Sequence, residues 1–351
     1  MAKTIVAALD AYDAWLGTRC RVIADELAEK RRLMAQDASA FLRGSCFRFA
    51  AQFPKALPEL VAKAAVPSCG DAHIENFGTW RDVEGRLVWG VNDLDEAALL
   101  PWPCDLVRLA TSALLAAEKG ASRKALCATI VDAYARALAA PRAFVLDEEH
   151  AALRGFVAPD AEARAKFWTM LGKLETATEL PPDWRAALVA DLPEGAMPQR
   201  FVHRKAGIGS LGRPRFAVIA EWGGGRVVRE AKARVPSAWL YAAFPGAATT
   251  DPLAIRNAPG RAPDPWYRVL PGLFIRRLAP DSRRLAPPEG DAAGLLAQIA
   301  AMGAELGNVH ATGRQAHVAA AELAAMPAGW LRDAAGAMAA LVARDHAALA
   351  G

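Results

Sequence analysis

No two cysteines in this sequence stand in a CxxC spacing, and their total, five, is odd. That excludes a zinc knuckle or a disulfide framework as the organising feature and leaves Cys20, Cys46, Cys69, Cys104 and Cys127 as buried, reduced thiols. Also missing is any uninterrupted apolar run approaching the roughly 18 residues of a membrane span. The opening MAKTIVAALDAYDAWLG is cut by Asp10 and makes a poor signal peptide. A cytoplasmic protein with no membrane partner is therefore expected. There is no continuous basic tract either. The formal net charge is +4, and arginines gather only locally, as in RRL at 31–33 and FIRRLAPDSRRL at 274–285. Nucleic acid is not expected as a partner, whereas small anionic ligands are.

What is present is a globular composition. With 53% hydrophobic and 23% charged residues over 351 positions, the chain suits two modest domains or one large domain with two lobes. Residues 1–66 read as helices, interrupted near LRGSCF and at Pro54 and Pro58. VPSCGDAHIENFGTW and RLVWGVNDLDEA then read as loop, hairpin and loop around a turn at Gly85. Beyond Pro101 and Pro103, CDLVRLATSALLAAEKG predicts a helix with Asp105 at its N-cap. Helical patterns continue to about residue 191, with ELPPDW as a break. At about residue 200 the texture changes to two β-rich runs around a triple-glycine turn, which predicts an antiparallel hairpin. The Pro-studded stretch 250–271 reads as loop, GLFIRRL as a strand, and GDAAGLLAQIAAMGAELGNVHATG onward as helix.

Two motif groups carry chemistry. The first is CGDAHIENFG followed by VNDLDEA, with Asp71 and Asn76 spaced as Gly-Asp-x-x-x-x-Asn and Asp93 delivered by the strand-like RLVWGV. Kinase chemistry uses such a set. One carboxylate takes the acceptor hydroxyl's proton, while an Asn oxygen and a second carboxylate hold Mg²⁺ on the phosphates. Asp, Asn and Gly are also ordinary turn formers, so either half alone says little. The second group is AGIGSLG, where Gly207, Gly209 and Gly212 form GxGxxG. A dinucleotide-binding loop must open a helix. These glycines instead run into RPRFAVIAEWGGGRVV, the context of a phosphate-covering loop between strands, with Lys232 in the following strand. His310, closing an apolar helix in LGNVHATG, serves as a topological marker.

In an ordinary kinase the glycine loop and lysine precede the catalytic loop. Here they follow it, and LFIRRLAP as a candidate hinge and the His310 helix come later still. Moving the end of the chain to its beginning restores the usual order, which predicts a circular permutation. GDAHIENFG, NDLDEA, PWPCDLVRLATS, AGIGSLGRPRF, REAKA and FIRRLAP together resemble the bacterial family described as domain of unknown function 2252, over roughly residues 40–315. That family is in turn similar to the protein-kinase-like superfamily, near the aminoglycoside and choline kinases. The resemblance implies an α+β, two-lobed fold in permuted order. Residues 1–199 and 286–351 would build the large helical lobe, and 200–285 the small antiparallel β lobe that cradles ATP. It implies Asp71 as catalytic base and Asn76 and Asp93 as Mg²⁺ ligands. Gly207, Gly209, Ser210 and Gly212 would cover the phosphates and Lys232 would pair with them. Asp105 would brace the catalytic loop. His73, Asp95 and Arg43 are supporting candidates.

Two departures stand out. Cys69 occupies the position before Gly70 where small-molecule kinases usually have His. No glutamate lies between Lys232 and the candidate hinge, the next being Glu289, so Lys232 is expected to be unpaired or to use Asp251 or Glu230. The leading expectation is a phosphotransferase using Mg²⁺ and ATP on a small hydroxyl-bearing acceptor. The alternatives are a nucleotide-binding pseudokinase, AMP transfer by the same site, and a metal hydrolase built on Asp71, His73, Glu75, Asp93 and Asp95. Arg43, Arg276 and Arg277 are candidates for meeting phosphate or an acidic acceptor.

Overall fold

The structure is a computed structural model and describes residues 4–116, 121–150, 153–155, 159–258, 260–284 and 291–351. Glu289 and the lobe boundary at 285/286 lie outside the described residues. The N-terminal part is helical: α1 (Ile5–Gly17), α2 (Ala24–Met34), α3 (Ala38–Gly44), α4 (Cys46–Ala56) and α5 (Pro58–Val61). Thr4 and Asp37 cap α1 and α3 by accepting from the backbone N–H of Ala7 and Ala40. The expected interruption at Pro54 is absent. Proline costs the helix its bond to the residue four back, but Pro54 sits in the last turn of α4, where the helix is about to end. Pro58 opens α5 at its first turn, where a missing N–H is harmless.

Strands β1 (Ala65–Ser68), β2 (Phe77–Arg81), β3 (Leu87–Val91) and β4 (Ala98–Pro101) follow, then α6 (Pro103–Ala116), α7 (Arg123–Ala139) and β5 (Phe144–Val145). β2 and β3 pair in the expected hairpin, from Phe77 opposite Val91 to Arg81 opposite Leu87, and β5 adds to β3. Asp105 is not an N-cap: it lies inside the first turn of α6 and is fully buried. Helices α8 (Ala161–Gly172) and α9 (Pro182–Ala190) lead into β6 (Met197–His203), β7 (Arg215–Trp222) and β8 (Gly225–Ala233). After α10 (Ala238–Tyr241) and β9 (Ala248–Thr249), the stretch expected to be loop contains a short helix, α11 (Pro252–Arg256), and β10 (Arg268–Leu270). Asp251 caps α11, and Pro252 stands at its first position, so a Pro-rich stretch still starts a helix. β11 (Leu273–Leu278), α12 (Ala292–His310), α13 (Ala316–Ala324) and α14 (Trp330–Ala350) complete the chain.

One large apolar core joins the two ends of the sequence, with Leu9, Phe41, Phe53, Leu106 and Tyr134 packed with Ile299, Leu306, Met338 and Val342. The five-stranded antiparallel sheet, in the order β10-β11-β8-β7-β6, has its own two small cores. Alternation along β7 explains both. Phe216 and Val218 face one side, under Leu188 of α9, whereas Ala217 and Ile219 face the other, under Leu171 of α8. Both helices precede residue 199 in sequence yet cover the sheet. The α8 side is apolar only at one end. Register places Arg215 opposite Lys232, and Glu230 between Ala217 and Arg276, so the other end of that face is charged. This charged end reaches the loops of the helical body.

Candidate active site

The loop after β1 is held from behind. The carboxylate of Asp105 accepts the backbone N–H of Cys69 at 2.8 Å and of Gly70 at 3.0 Å, and lies 3.2 Å from His310 Nε2. His310 Nδ1 in turn lies 2.9 Å from the Tyr134 hydroxyl. Gly70 has φ of 74°, and a side chain there would strike the carbonyl of Glu96, so only glycine fits the turn that presents Asp71. Asp71 Oδ1 is pinned by the buried Arg108, whose Nε donates at 2.7 Å and whose guanidinium lies over Phe49. Its Oδ2 is turned toward the glycine loop and sits 3.9 Å from His73 Nε2. Burial raises the Asp71 carboxyl above its ordinary value, with Arg108 opposing. Burial, then Arg43 and Arg108, holds His73 neutral, and its Nδ1 accepts the Glu75 N–H. Arg43 is paired with Glu75.

Asn76 joins the two halves of the first motif group. Its Nδ2 donates to the carbonyls of Asp71 (3.0 Å) and Asp93 (3.1 Å), and its Oδ1 accepts the Asp93 N–H at 3.0 Å. The β2–β3 hairpin therefore returns Asp93 beside Asp71. Lys232, 139 positions later, reaches the same place. Its Nζ lies 2.7 Å from Asp93 Oδ2 and 2.5 Å from Asp95 Oδ2. The expectation of an unpaired lysine, or one paired with Asp251 or Glu230, is corrected. Glu230 is taken by Arg204, Arg215 and Arg276, and Asp251 caps α11. Arg276 and Arg277 are paired with Glu230 and Asp281, carboxylates they share with other arginines. Burial opposes the charge of Asp93, but Lys232, a hydrogen bond with Asp95 and the charge of Arg276 together hold it well below the usual carboxylate range. Burial, then the charge of Asp93, pushes Asp95 up to about 7.

The glycine loop lies on the loop that carries Asp71. Gly207 and Gly212 take positive φ, and a 3₁₀ turn spans Ile208–Ser210. A Cβ on Gly209 would stand 3.1 Å from the Arg43 carbonyl and 3.9 Å from Asp71 Oδ2, so the loop's close approach uses the missing side chain. Three contacts outside the expected set fasten it. Lys30 donates to the Gly209 carbonyl at 3.0 Å, Arg215 donates to Ser210 Oγ at 2.6 Å, and Arg213 bridges Glu96 (3.1 Å) and the Tyr12 hydroxyl (3.0 Å). Burial, then Arg213, lowers Lys30 to about 8. Asp71, Asn76, Asp93, Gly207, Gly209 and Ser210 line one cavity of about 50 Å³. Lys232 enters from the sheet side of Asp93.

Lys30, Arg108, Glu96 and Arg213 were missed by sequence reasoning. Lys30 and Arg213 sit in ordinary helical and turn contexts, so nothing marked them. Arg108, three residues after Asp105 in an otherwise apolar helix, was the legible one. The site suits Mg²⁺. Two carboxylates, Asp93 and Asp95, share one ammonium group, and beside burial the charge of Asp93 raises Asp95, an effect that a bound cation would offset. No three His, Cys, Asp or Glu side chains form a preassembled metal cage among the described residues. Mg²⁺ commonly takes one or two carboxylates and completes its shell with phosphate and water.

Residues 21–166 match the model of a family described as uncharacterized protein conserved in bacteria (DUF2252), which supports the family resemblance. That stretch contains the whole first motif group and Asp105. No curated protein and no solved structure matches the chain. No described helix is long and apolar enough to cross a membrane.

Proposed function

We propose that this protein is a Mg²⁺- and ATP-dependent phosphotransferase acting on a small hydroxyl-bearing acceptor, with a kinase-like, two-lobed fold in circularly permuted order. The observation that carries the reading is Lys232. It follows a glycine loop in a central strand of the β-sheet and closes on Asp93, while that loop lies over Asp71. The permuted order is supported by α12: His310 docks on Asp105 from 205 positions away, so the helix sits directly behind the catalytic loop in space.

The residues divide the work. Asp71, with Oδ1 fixed by Arg108, offers Oδ2 to the acceptor hydroxyl and takes its proton. Asp93 and Asn76 Oδ1 would hold the metal, with Asp95 beside them. When bound, Mg²⁺ neutralises phosphate charge. Lys232 orients the phosphate chain by donating from the sheet side, and the backbone of residues 207–212 covers it. The space under the loop, about 50 Å³, is far below the several hundred Å³ of a ligand pocket, so nucleotide entry requires the loop to lift. The two carboxylate partners of Lys232 remove the main argument for a pseudokinase, that its lysine is uncompensated.

ATP labelled at the γ- or the α-phosphate, incubated with Mg²⁺, the protein and a panel of small alcohols, sugars and amino alcohols, tests the reading. Transfer of the γ label is expected. Transfer of the α label alone indicates AMP transfer, and binding with no transfer indicates a pseudoenzyme. Phosphoester hydrolysis without nucleotide points to the hydrolase.

A further inference from the structure

Beside the catalytic cavity, and sharing Arg284 with it, lies a larger cavity of about 390 Å³ between the charged end of the sheet and the β2–β3 hairpin. Among the described residues its wall carries seven arginines and one carboxylate, Asp264. Arg204 comes from the end of β6, Arg276 and Arg277 from β11, and Arg283 and Arg284 from the segment after it. The carboxylates behind the wall are shared among its arginines. Glu230 alone serves Arg204, Arg215 and Arg276, and Asp281 serves both Arg81 and Arg277. Arg284 is exposed and makes no ion pair with a described residue. The crowding is felt. Burial holds Arg204 below its ordinary value despite Glu230, and Arg215 and Arg276 add to the effect.

We propose that this cavity is a binding site for a polyphosphate chain of two or three phosphates. Several guanidiniums arranged around one concave space, with surplus positive charge, match a ligand carrying several negative charges along its length. Of the carboxylates that meet these arginines, Glu230 and Asp281 are each shared between two or more guanidiniums, and Arg284 has no ion pair with a described residue. Size agrees, since about 390 Å³ is in the range of small-molecule pockets. An ordinary adenine pocket is mostly apolar, whereas here only Trp80, Trp266, Ala206 and Leu278 supply apolar surface, and guanidinium groups stand over both tryptophans. The chain has two sources: the nucleotide of the proposed reaction, or a free inorganic polyphosphate. The site itself does not rest on the transfer reading.

Calorimetric titration with sodium tripolyphosphate, without Mg²⁺, tests the proposal on the wild type, on Arg277→Ala/Arg284→Ala, and on Arg344→Ala, an exposed arginine of α14, as control. Arg277 and Arg284 are partly exposed, and an unchanged melting temperature without ligand verifies the fold of the double variant. The expected result is saturable binding that weakens at least tenfold in the double variant and not in the control, with partial recovery in Arg277→Lys/Arg284→Lys. Absence of binding to the wild type, or equal binding by wild type and double variant, overturns the proposal. Competition between ATP and tripolyphosphate assigns the chain to the nucleotide, and simultaneous binding assigns it to a separate polyphosphate; both support the site. Tripolyphosphate binding without any label transfer from ATP leaves this site standing and removes the proposed reaction.

Discussion

In the proposed reaction, Asp71 and Lys232 separate chemistry from binding. Arg108 holds the carboxylate in place, and no direct contact between described residues ties Asp71 to Lys232. Asp71→Asn is therefore expected to reduce transfer by about 10²-fold or more while Mg-ATP still raises the melting temperature. A loss of both together would instead assign Asp71 to binding. Lys30 gives a second residue-scale test, through pH. Its folded value of about 8 lies below its ordinary 10.5, so between these values the unfolded chain binds a proton that the folded chain has released. Its contribution to stability is thus most unfavourable below about pH 8 and improves as pH rises to 10.5. Denaturation of wild type and Lys30→Met across that window should show the wild type gaining on the variant by about 2–3 kcal/mol. Parallel curves would contradict the burial that lowers Lys30.

At the level of elements, the proposed reaction requires the glycine loop to move. It is fastened by side chains of Lys30, Arg215 and Arg213 and by backbone bonds of Gly212 to Glu26 and Ile23, and lies over a space too small for a triphosphate. Amide exchange at residues 206–213 should change severalfold when Mg-ATP binds, whereas exchange in α12 should not. An unaffected loop would remove its role as phosphate cover. These elements were largely legible. The hairpin after Gly85, the glycine loop between strands and the strand carrying Lys232 follow from alternation and turn chemistry. The partner of Lys232 was not, because it comes from Asp93 and Asp95, across the register of a fold that no local pattern encodes. Pro54 and Asp105 were misread for a related reason: position within a helix decides their effect, and boundaries are the weakest part of a sequence pattern.

Across the whole molecule, stability is unevenly distributed. The large core joins both ends of the sequence through α12 and α14, while the sheet relies on two small cores. α8 buries only Leu171 and α9 only Leu188. Native-state exchange should find both helices opening well before β7 and β8, which lie in the middle of the sheet. Protection of α8 and α9 equal to that of the sheet would contradict this. That α8 and α9 cover the sheet was not legible, since their helical pattern continues that of the preceding segment and nothing local marks a change of partner. The arginine-lined cavity was half legible: the arginine cluster at 274–285 was visible, but the face it shares with Arg204 depends on strand order.

The account as a whole depends on Asp93 and Lys232 gripping a metal-bound nucleotide. Melting temperatures with and without Mg-ATP, for wild type, Asp93→Ala and Lys232→Ala, test that most directly. Ligand at 100 times its dissociation constant stabilises by about 2.7 kcal/mol, so a shift of several degrees is expected for the wild type and little or none for either variant. An equal shift in all three proteins would contradict the site.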